Sequence, residues 1–286
     1  MAASTAALHG ITKQYKDFTL GPVDMTVPAG SIVGLIGENG AGKTTLLKIL
    51  CGVNRADDGT VDLLGGSPAD AATRAKIGVV FEDAFFYGSF TAAQVARSLA
   101  GMYGARWNAD SFSAYLRRFG LDAGKKLKEY SRGMRLKLSL AAALAHDPEL
   151  LVLDEATAGL DPVVRGELLD LFLEFIQDER HSIVMSSHIT ADLEQIADSI
   201  AYLHNGQLLF QENKDNLLQE YGVLHCGEDV LTSLPAGLVV FTRRGAYGCE
   251  SLVRERRTVQ ELLPEAVCDA ARLDDIMRFY SGRDAQ

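Results

Sequence analysis

A glycine-rich segment near the N-terminus carries the first residues of the sequence that could do chemistry. It fits the pattern G-x-x-x-x-G-K-[ST] of a phosphate loop, with the residues Gly37, Glu38, Asn39, Gly40, Ala41, Gly42, Lys43 and Thr44. Glycines let backbone N–H groups curl around phosphate oxygens without clashes from a Cβ atom. Lys43 is then expected to reach the β- and γ-phosphates, and the Thr44 hydroxyl is expected to ligate Mg²⁺. The phosphate loop therefore predicts a binding site for ATP and Mg²⁺, in which we include the next residue, Thr45.

An acidic pair, Asp154 and Glu155, follows an apolar run at residues 150–153. A continuous apolar run is typical of a strand buried on both faces of a parallel sheet. Such a strand would carry the pair to the carboxyl edge of the sheet, where nucleotides bind in open α/β folds. Asp154 would hold Mg²⁺ through its water shell, and Glu155 would orient and deprotonate the attacking water. An acidic pair alone is usually a solvated strand end, so the catalytic interpretation depends on the phosphate loop.

The hydrophobic pattern predicts the elements that must position these residues. Residues 31–36 form an apolar run before the phosphate loop and residues 44–50 have helical spacing after it, which favours a phosphate site over a chance glycine-rich turn. Further strands are predicted at residues 77–81 and 182–187, and residues 92–145 are mostly helical in pattern. Strands that alternate with helices predict an α/β fold with a mostly parallel sheet and a helical insertion at about residues 85–146.

The pattern changes after about Lys214. Short strands are predicted at residues 223–226, 238–242 and 249–253, and short helices at residues 258–263 and 273–280. We therefore divide the chain into an ATP-binding domain at residues 1–213 and a small C-terminal α+β domain at residues 214–286. Dimer contact and regulation are both open as roles for the second domain.

The composition argues against several other classes of protein. Because the net charge is −10, broad contact with a polyanion is unfavourable and no nucleic-acid partner is expected. The four cysteines lack the spacing of a zinc site and are interpreted as reduced thiols of a cytosolic protein. The N-terminus lacks the features of a signal peptide, and no apolar run approaches the length of about 18 to 20 residues that spans a bilayer. Any membrane role is therefore expected to come through a partner chain.

Three further motifs stand in a definite order around the acidic pair. The segment at residues 130–134 precedes the pair and reads Y-S-R-G-M, and residues 158–162 and His188 follow it. Together with the phosphate loop, their order and spacing closely resemble the ATP-binding subunit of ABC transporters, whose hallmark before the acidic pair is L-S-G-G-Q. The resemblance covers residues 8–212 and is more specific than the phosphate loop, which many NTPases share.

The resemblance implies a P-loop NTPase of the ABC cassette type, with an antiparallel β subdomain beside the parallel core. In this family Ser131 and Gly133 would form a second anion cradle that closes over the γ-phosphate held by the opposite subunit, so that two chains sandwich two ATP molecules head to tail. Asp161 would lie in the loop that crosses the seam, His188 would contact the γ-phosphate, and Tyr15 would stack on adenine. The plain alternatives are a helix cap for Ser131 and packing roles for His188 and Tyr15.

Three residues depart from the family pattern. Glu82 stands where the family usually has glutamine; its carboxylate can still ligate Mg²⁺, but without the metal it would repel the phosphates. Arg132 replaces a glycine and Met134 replaces the signature glutamine. Aromatic residues after Glu82 coincide with the family's groove for a helix of the membrane subunit, although packing inside the helical insertion explains them equally well; they are Phe85, Phe86, Tyr87 and Phe90.

The leading hypothesis is the ATP-hydrolysing subunit of a transporter, with Lys43, Glu155 and His188 as catalytic residues. ATP binding would close a dimer with a second ATP-binding subunit, identical or different, and hydrolysis would drive a separate integral membrane permease. The permease would hold the chain at the cytoplasmic face of the cell membrane. The sequence resembles bacterial subunits that serve drug or peptide exporters. An importer ATPase, an ATP-driven clamp on the ribosome or nucleic acid, and a small-molecule kinase are the alternatives.

Overall fold

The strands and helices are known from a computed structural model, which describes residues 4–81, 86–235, 237–245 and 248–281. The strands in this part of the chain are β1 (Ser4–Gln14), β2 (Thr19–Pro28), β3 (Ile32–Ile36), β4 (Asp58–Leu63), β5 (Ile77–Val80), β6 (Leu150–Asp154), β7 (Ser182–Ser186), β8 (Ser199–His204), β9 (Gln207–Asn213), β10 (Gly222–Cys226), β11 (Val239–Gly245), β12 (Gly248–Val253) and β13 (Val267–Ala270). The α-helices are α1 (Lys43–Leu50), α2 (Ala71–Arg74), α3 (Ala92–Tyr103), α4 (Ala109–Arg118), α5 (Arg132–Leu144), α6 (Pro162–Phe175), α7 (Thr190–Ile196), α8 (Lys214–Glu220), α9 (Glu228–Leu231), α10 (Arg256–Leu262) and α11 (Leu273–Ser281).

A six-stranded sheet with the order β5-β6-β7-β3-β8-β9 carries the predicted site. Its first five strands run parallel and β9 pairs antiparallel with β8. Strands β3, β6 and β7 are buried along their whole length, which explains their continuous apolar runs. Asp154 at the end of β6 pairs in register with Ser186 at the end of β7, and Ser186 pairs with Leu35 of β3. The carboxyl ends of the three strands are therefore level, and the predicted mostly parallel α/β fold is confirmed.

A second, antiparallel sheet with the order β2-β1-β4 lies against helix α1. Leu46, Leu47 and Leu50 of α1 are fully buried in one apolar cluster with Leu8 and Ile11 of β1. Since α1 also packs on β6, it is held between the two sheets. This packing directs the N-terminus of α1, and with it the phosphate loop, towards the carboxyl edge of the parallel strands.

The helical insertion lies between β5 and β6 and contains α3, α4 and α5. These helices share an apolar cluster that includes Val95, Phe112 and Leu138. Each begins at a side chain that accepts a hydrogen bond from a backbone N–H group, and these caps are Thr91, Asn108 and Ser131. The periodicity at residues 92–145 predicted this helical character; the caps divide it into separate helices.

The C-terminal segment forms an antiparallel sheet with the order β11-β12-β10-β13. Its apolar core continues into that of the ATP-binding part, because Leu273 and Ile276 of α11 belong to the same buried cluster as Leu193 and Ile196 of α7. The predicted strands and helices of this segment are present. Strand β13 was not predicted from the sequence. Only one of its four residues is buried, so its residues do not alternate between buried and exposed positions, which is the pattern that indicates a strand. Within the described ranges, none of the helices combines the length and the apolar character required to cross a bilayer.

Candidate nucleotide site

The phosphate loop connects β3 to α1 and requires glycine at two positions. Gly42 lies immediately before α1 with φ +106°, a left-handed conformation that side chains rarely adopt. At Gly37, a Cβ atom would come within 2.2 Å of the Leu203 carbonyl oxygen of β8. The loop therefore keeps its tight course only with glycine at these two positions, and it ends at a helix N-terminus, which favours anions.

Lys43 places its ammonium group inside the phosphate loop and close to the carboxylate of Glu155. Its Nζ donates hydrogen bonds to the carbonyl oxygens of Gly37, at 2.7 Å, and Glu38, at 3.2 Å. The same nitrogen lies 3.4 Å from Glu155 Oε1. The Lys43 side chain is only 6% exposed. The loop carbonyls and the Glu155 carboxylate therefore hold its ammonium group at the place where a phosphate is expected.

The predicted metal ligands Thr44 and Asp154 are brought into direct contact. Thr44 Oγ1 donates to Asp154 Oδ2 at 2.8 Å, although 110 residues separate them in the sequence. Ser186 Oγ of β7 donates to the other carboxylate oxygen, Oδ1, at 2.7 Å. Asp154 is 2% exposed, so these hydroxyl groups hold the orientation of a buried carboxylate.

The donor set of this contact fits Mg²⁺. A hydroxyl and a carboxylate are hard oxygen donors, and Mg²⁺ typically takes one or two such protein ligands together with waters and phosphates. No cluster of three or more His, Cys, Asp or Glu residues that could hold a metal ion occurs in the described ranges. Burial, and after it the nearby Asp154 carboxylate, raises the pKa of the Cys51 thiol to about 12, so this cysteine supplies no thiolate ligand at neutral pH.

Glu155 and His188 form the shortest contact of the site. Glu155 Oε2 accepts hydrogen bonds from His188 Nδ1, at 2.6 Å, and from the His188 backbone N–H, at 3.3 Å. Glu155 has φ +52°, a left-handed conformation that costs a non-glycine residue roughly 1–2 kcal/mol. The Glu155 N–H donates to the carbonyl oxygen and the hydroxyl of Ser186, both at 3.1 Å, and these bonds help to hold the strained backbone. Strain of this kind is common where a side chain is aimed for catalysis.

Ser186 is a site residue that the sequence analysis missed. It contacts the carboxylate of Asp154 and the backbone of Glu155, and so it connects the two acidic residues to β7. The signal that could have indicated it is the polar run Ser186, Ser187 and His188 at the carboxyl end of a buried strand.

A cavity of about 380 Å³ opens beside the phosphate loop, and Tyr15 lies at its wall. Tyr15 is 43% exposed and its ring centroid is 6.4 Å from that of Phe18, so it is not a core tyrosine and its position suits stacking on a base. A larger cavity, about 560 Å³, lies on the C-terminal sheet, and none of the predicted site residues lines it. The residues lining the first cavity are Tyr15, Phe18, Glu38, Asn39, Gly40, Gly42, Lys43, Thr44, Thr45 and Glu155.

Ser131, Arg132 and Gly133, which we call the signature turn, lie apart from this cavity. Ser131 Oγ accepts the Met134 N–H at 3.2 Å and begins α5. Asp161 has the same role for α6, where its Oδ1 accepts the Val164 N–H at 3.0 Å. The two loops lie close together, because a Cβ atom at Gly133 would lie 3.5 Å from the Leu160 side chain. The structure thus brings the signature turn and the Asp161 loop together, but neither lines the nucleotide cavity of its own chain.

Two predicted positions, Glu82 and Phe85, lie outside the described residues. Of the neighbouring aromatic residues, Phe86 and Phe90 are partly buried and pack against the apolar cluster of the helical insertion. Tyr87 is 77% exposed. The packing interpretation therefore accounts for two of these aromatic side chains, and Tyr87 remains available for a partner.

The phosphate loop, the buried acidic strand end and the sheet order define a P-loop NTPase, and the helical insertion carrying the signature turn places it among the ATP-binding cassettes. The profile of the family described as "ABC transporter" matches residues 20–158. The bacitracin transport ATP-binding protein BcrA of Enterococcus faecalis is 36% identical over 214 residues, which cover 73% of this chain and 69% of that protein. The lantibiotic transport ATP-binding protein SrtF of Streptococcus pyogenes is 33% identical over 211 residues, which cover 73% of this chain and 90% of the relative. This chain belongs to the ABC transporter family of ATP-binding proteins.

Two further matches extend the comparison. An uncharacterized ABC transporter ATP-binding protein of Synechocystis is 38% identical over 206 residues, 70% of this chain, and the match spans only 58% of that longer relative. A solved structure described as the ATP binding subunit of an ABC transporter has a TM-score of 0.69 and 28% identity, and it covers 75% of this chain and 92% of its own. These similarities confirm the family and the cassette fold predicted from the motifs.

Proposed function

We propose that this chain hydrolyses ATP to drive a separate integral membrane permease of the exporter type. The observation that carries the proposal is the hydrogen bond between Glu155 and His188. It lies beside Lys43 and near the hydrogen bond between Thr44 and Asp154. Export is supported by the relatives named for bacitracin and lantibiotic transport. The permease would hold the chain at the cytoplasmic face of the cell membrane, and the net charge of −10 gives no reason to expect a nucleic-acid partner.

The phosphate loop binds the triphosphate through its backbone N–H groups and Lys43. Lys43 donates hydrogen bonds to two loop carbonyls and forms an ion pair with Glu155. Its side chain therefore has to turn from these oxygens towards the phosphates when ATP binds. Thr44 and Asp154 would hold Mg²⁺, with Glu82 as a further candidate ligand. When bound, Mg²⁺ would neutralise the negative charge that develops on the phosphate oxygens.

Glu155 acts as the general base. Its carboxylate takes a proton from the attacking water, and His188 orients the carboxylate through the 2.6 Å contact from Nδ1. The left-handed backbone and the bonds to Ser186 keep Glu155 in place at the strand end, so little reorganisation is needed at the moment of reaction.

A second ATP-binding subunit completes each site. The N-terminus of α5 presents the Ser131 hydroxyl and backbone N–H groups but lies away from the phosphate loop of its own chain. In a head-to-tail dimer the signature turn of one chain would close over the γ-phosphate bound by the other, with Asp161 at the seam. Two chains in this arrangement sandwich two ATP molecules.

We also propose the domain division into residues 1–213, with the helical insertion at about 85–146, and residues 214–286. The separate sheet of the C-terminal segment supports a boundary after β9. The apolar cluster shared by α7 and α11 supports a close attachment between the two domains.

The experiment that tests this function is the substitution Glu155→Gln in the full chain. Turnover of ATP should fall by roughly 10²–10⁴-fold because the amide cannot accept the proton of water, whereas ATP should still bind. Glu149→Gln is the matched control, since Glu149 precedes the same strand at the opposite edge of the sheet, where it pairs with Lys76 at 3.4 Å. Near wild-type turnover of Glu155→Gln would overturn the assignment of the base.

A further inference from the structure

Helix α7 connects the catalytic histidine to the C-terminal segment. The helix begins at Thr190, two residues after His188. The short link between them is braced by Ser187, whose Oγ accepts the Ile189 N–H at 3.0 Å and donates to the Ile189 carbonyl oxygen at 3.3 Å. A shift of α7 is therefore expected to displace His188, because the link has little freedom to absorb the movement.

In the described residues, the polar contacts of the C-terminal segment with α7 converge on Glu194. Glu194 Oε1 accepts the backbone N–H of Leu273, the first residue of α11, at 2.8 Å. Its other carboxylate oxygen, Oε2, lies 3.8 Å from a guanidinium nitrogen of Arg272. The carbonyl oxygen of Glu194 accepts a hydrogen bond from Lys214 Nζ of α8 at 2.9 Å. Residues from both ends of the C-terminal segment thus converge on this one position of α7.

The carboxylate of Glu194 is well suited to this contact. The first N–H groups of a helix have no partner inside the helix, and an anion at this end also interacts favourably with the helix dipole. The Glu194 side chain is 20% exposed, so its bonds are partly shielded from water. Around it, Leu193 and Ile196 pack in the same buried cluster as Leu273 and Ile276.

We propose that Glu194 is a positioning residue through which residues 214–281 hold α7 and thereby keep His188 on Glu155. The C-terminal segment would then set the rate of ATP hydrolysis by the strength of its hold on α7. This inference rests on the proposed function, because it assigns a regulatory input to the same catalytic site.

Steady-state kinetics of the full chain test the proposal. Glu194→Ala should lower kcat by about fivefold, a typical size for coupling through a contact that touches no ligand, and should leave KM for ATP unchanged. Glu194→Gln should restore most of the rate, because the amide oxygen still accepts the Leu273 N–H. The control is Arg278→Gln, which removes the ion pairs of α11 with Glu250, at 3.6 Å, and within α11 with Asp275, at 3.3 Å, but changes no residue that contacts α7.

A double-mutant cycle separates positioning from a general loss of structure. If Glu194 acts through His188, then Glu194→Ala should cause no further loss of kcat in a His188→Ala background. Losses that multiply independently would overturn the proposal. Turnover that falls in Glu155→Gln and His188→Ala but stays normal in Glu194→Ala would overturn this inference alone, whereas normal turnover in Glu155→Gln would overturn the proposed function.

Amide hydrogen exchange supplies a measurement that does not depend on activity. Residues 188–196 should exchange faster in Glu194→Ala than in the wild-type chain, since local protection follows the contacts that hold an element in place. The Arg278→Gln control should leave this segment unchanged. Equal protection of residues 188–196 in Glu194→Ala and the wild-type chain would also overturn the proposal.

Discussion

The phosphate loop and the signature turn are both glycine-containing turns at the N-terminus of a helix, yet their surroundings differ. Around the phosphate loop, one chain supplies the cation and the acidic residues, with Lys43 beside Glu155 and Thr44 bonded to Asp154. The signature turn instead lies close to the Asp161 loop. It presents a capped helix N-terminus but contributes no residue to the nucleotide cavity of its own chain.

This difference agrees with the proposed division of roles between two subunits. Both turns place N–H groups at a helix end, an arrangement that favours anions. Only the phosphate loop has a lysine and the Thr44–Asp154 contact nearby, so in the proposed dimer one chain would bind Mg-ATP and the signature turn of the other chain would complete the γ-phosphate side. Mixed dimers of two variants test this division of roles.

The largest effect is expected for Lys43→Ala and Ser131→Ala, tested separately and then mixed. Each variant alone should lose turnover by roughly 10²-fold, because each removes a donor to the phosphate on which charge develops. In a mixed head-to-tail dimer one composite site keeps both residues, so an equal mixture should regain about a quarter of wild-type turnover.

The control for this mixture is Asn108→Ala. It removes the N-cap of α4, where Asn108 Oδ1 accepts the Ser111 N–H at 2.9 Å, and so it reproduces the loss of a cap in the same helical insertion without touching the signature turn. Mixtures that stay inactive would place the signature turn outside the partner's site and contradict the division of work.

An intermediate effect is expected at Thr44, on the side that one chain completes. Thr44→Val removes the hydroxyl that bonds to Asp154, and the Mg²⁺ concentration for half-maximal turnover should rise by about tenfold. Thr44→Ser keeps the hydroxyl and should stay close to the wild-type value. Identical Mg²⁺ titrations for the valine variant and the wild-type chain would show that Thr44 is not a metal ligand.

The smallest effect is expected at Glu82, which lies outside the described residues. Its carboxylate would repel the phosphates when Mg²⁺ is scarce, since like charges disfavour each other at short range. Glu82→Gln should therefore make turnover less steeply dependent on Mg²⁺ than in the wild-type chain. Superimposable titrations of the two proteins would remove this idea.

Much of the site could be predicted because its residues belong to local patterns. The apolar run at residues 150–153 predicted a buried strand, and the contact of Asp154 with Thr44 agrees with the expectation that both lie at the carboxyl edge. Ser186 escaped prediction because only His188 was singled out from the polar run that ends β7, although Ser186 contacts both acidic residues. Glu194 escaped for a related reason, since its partner Leu273 is 79 residues away.

The class of this protein follows from its sequence alone, because the glycine, lysine and acidic motifs depend on spacing along a single strand, loop or helix. The mostly parallel sheet follows from the sequence as well, since continuous apolar runs that alternate with helical periods have few other solutions. Which side chains meet depends on the tertiary structure. The packing of distant segments produces the hydrogen bond between His188 and Glu155, the strained backbone of Glu155 and the attachment of α11 to α7. No local pattern of residues encodes the distances between these segments.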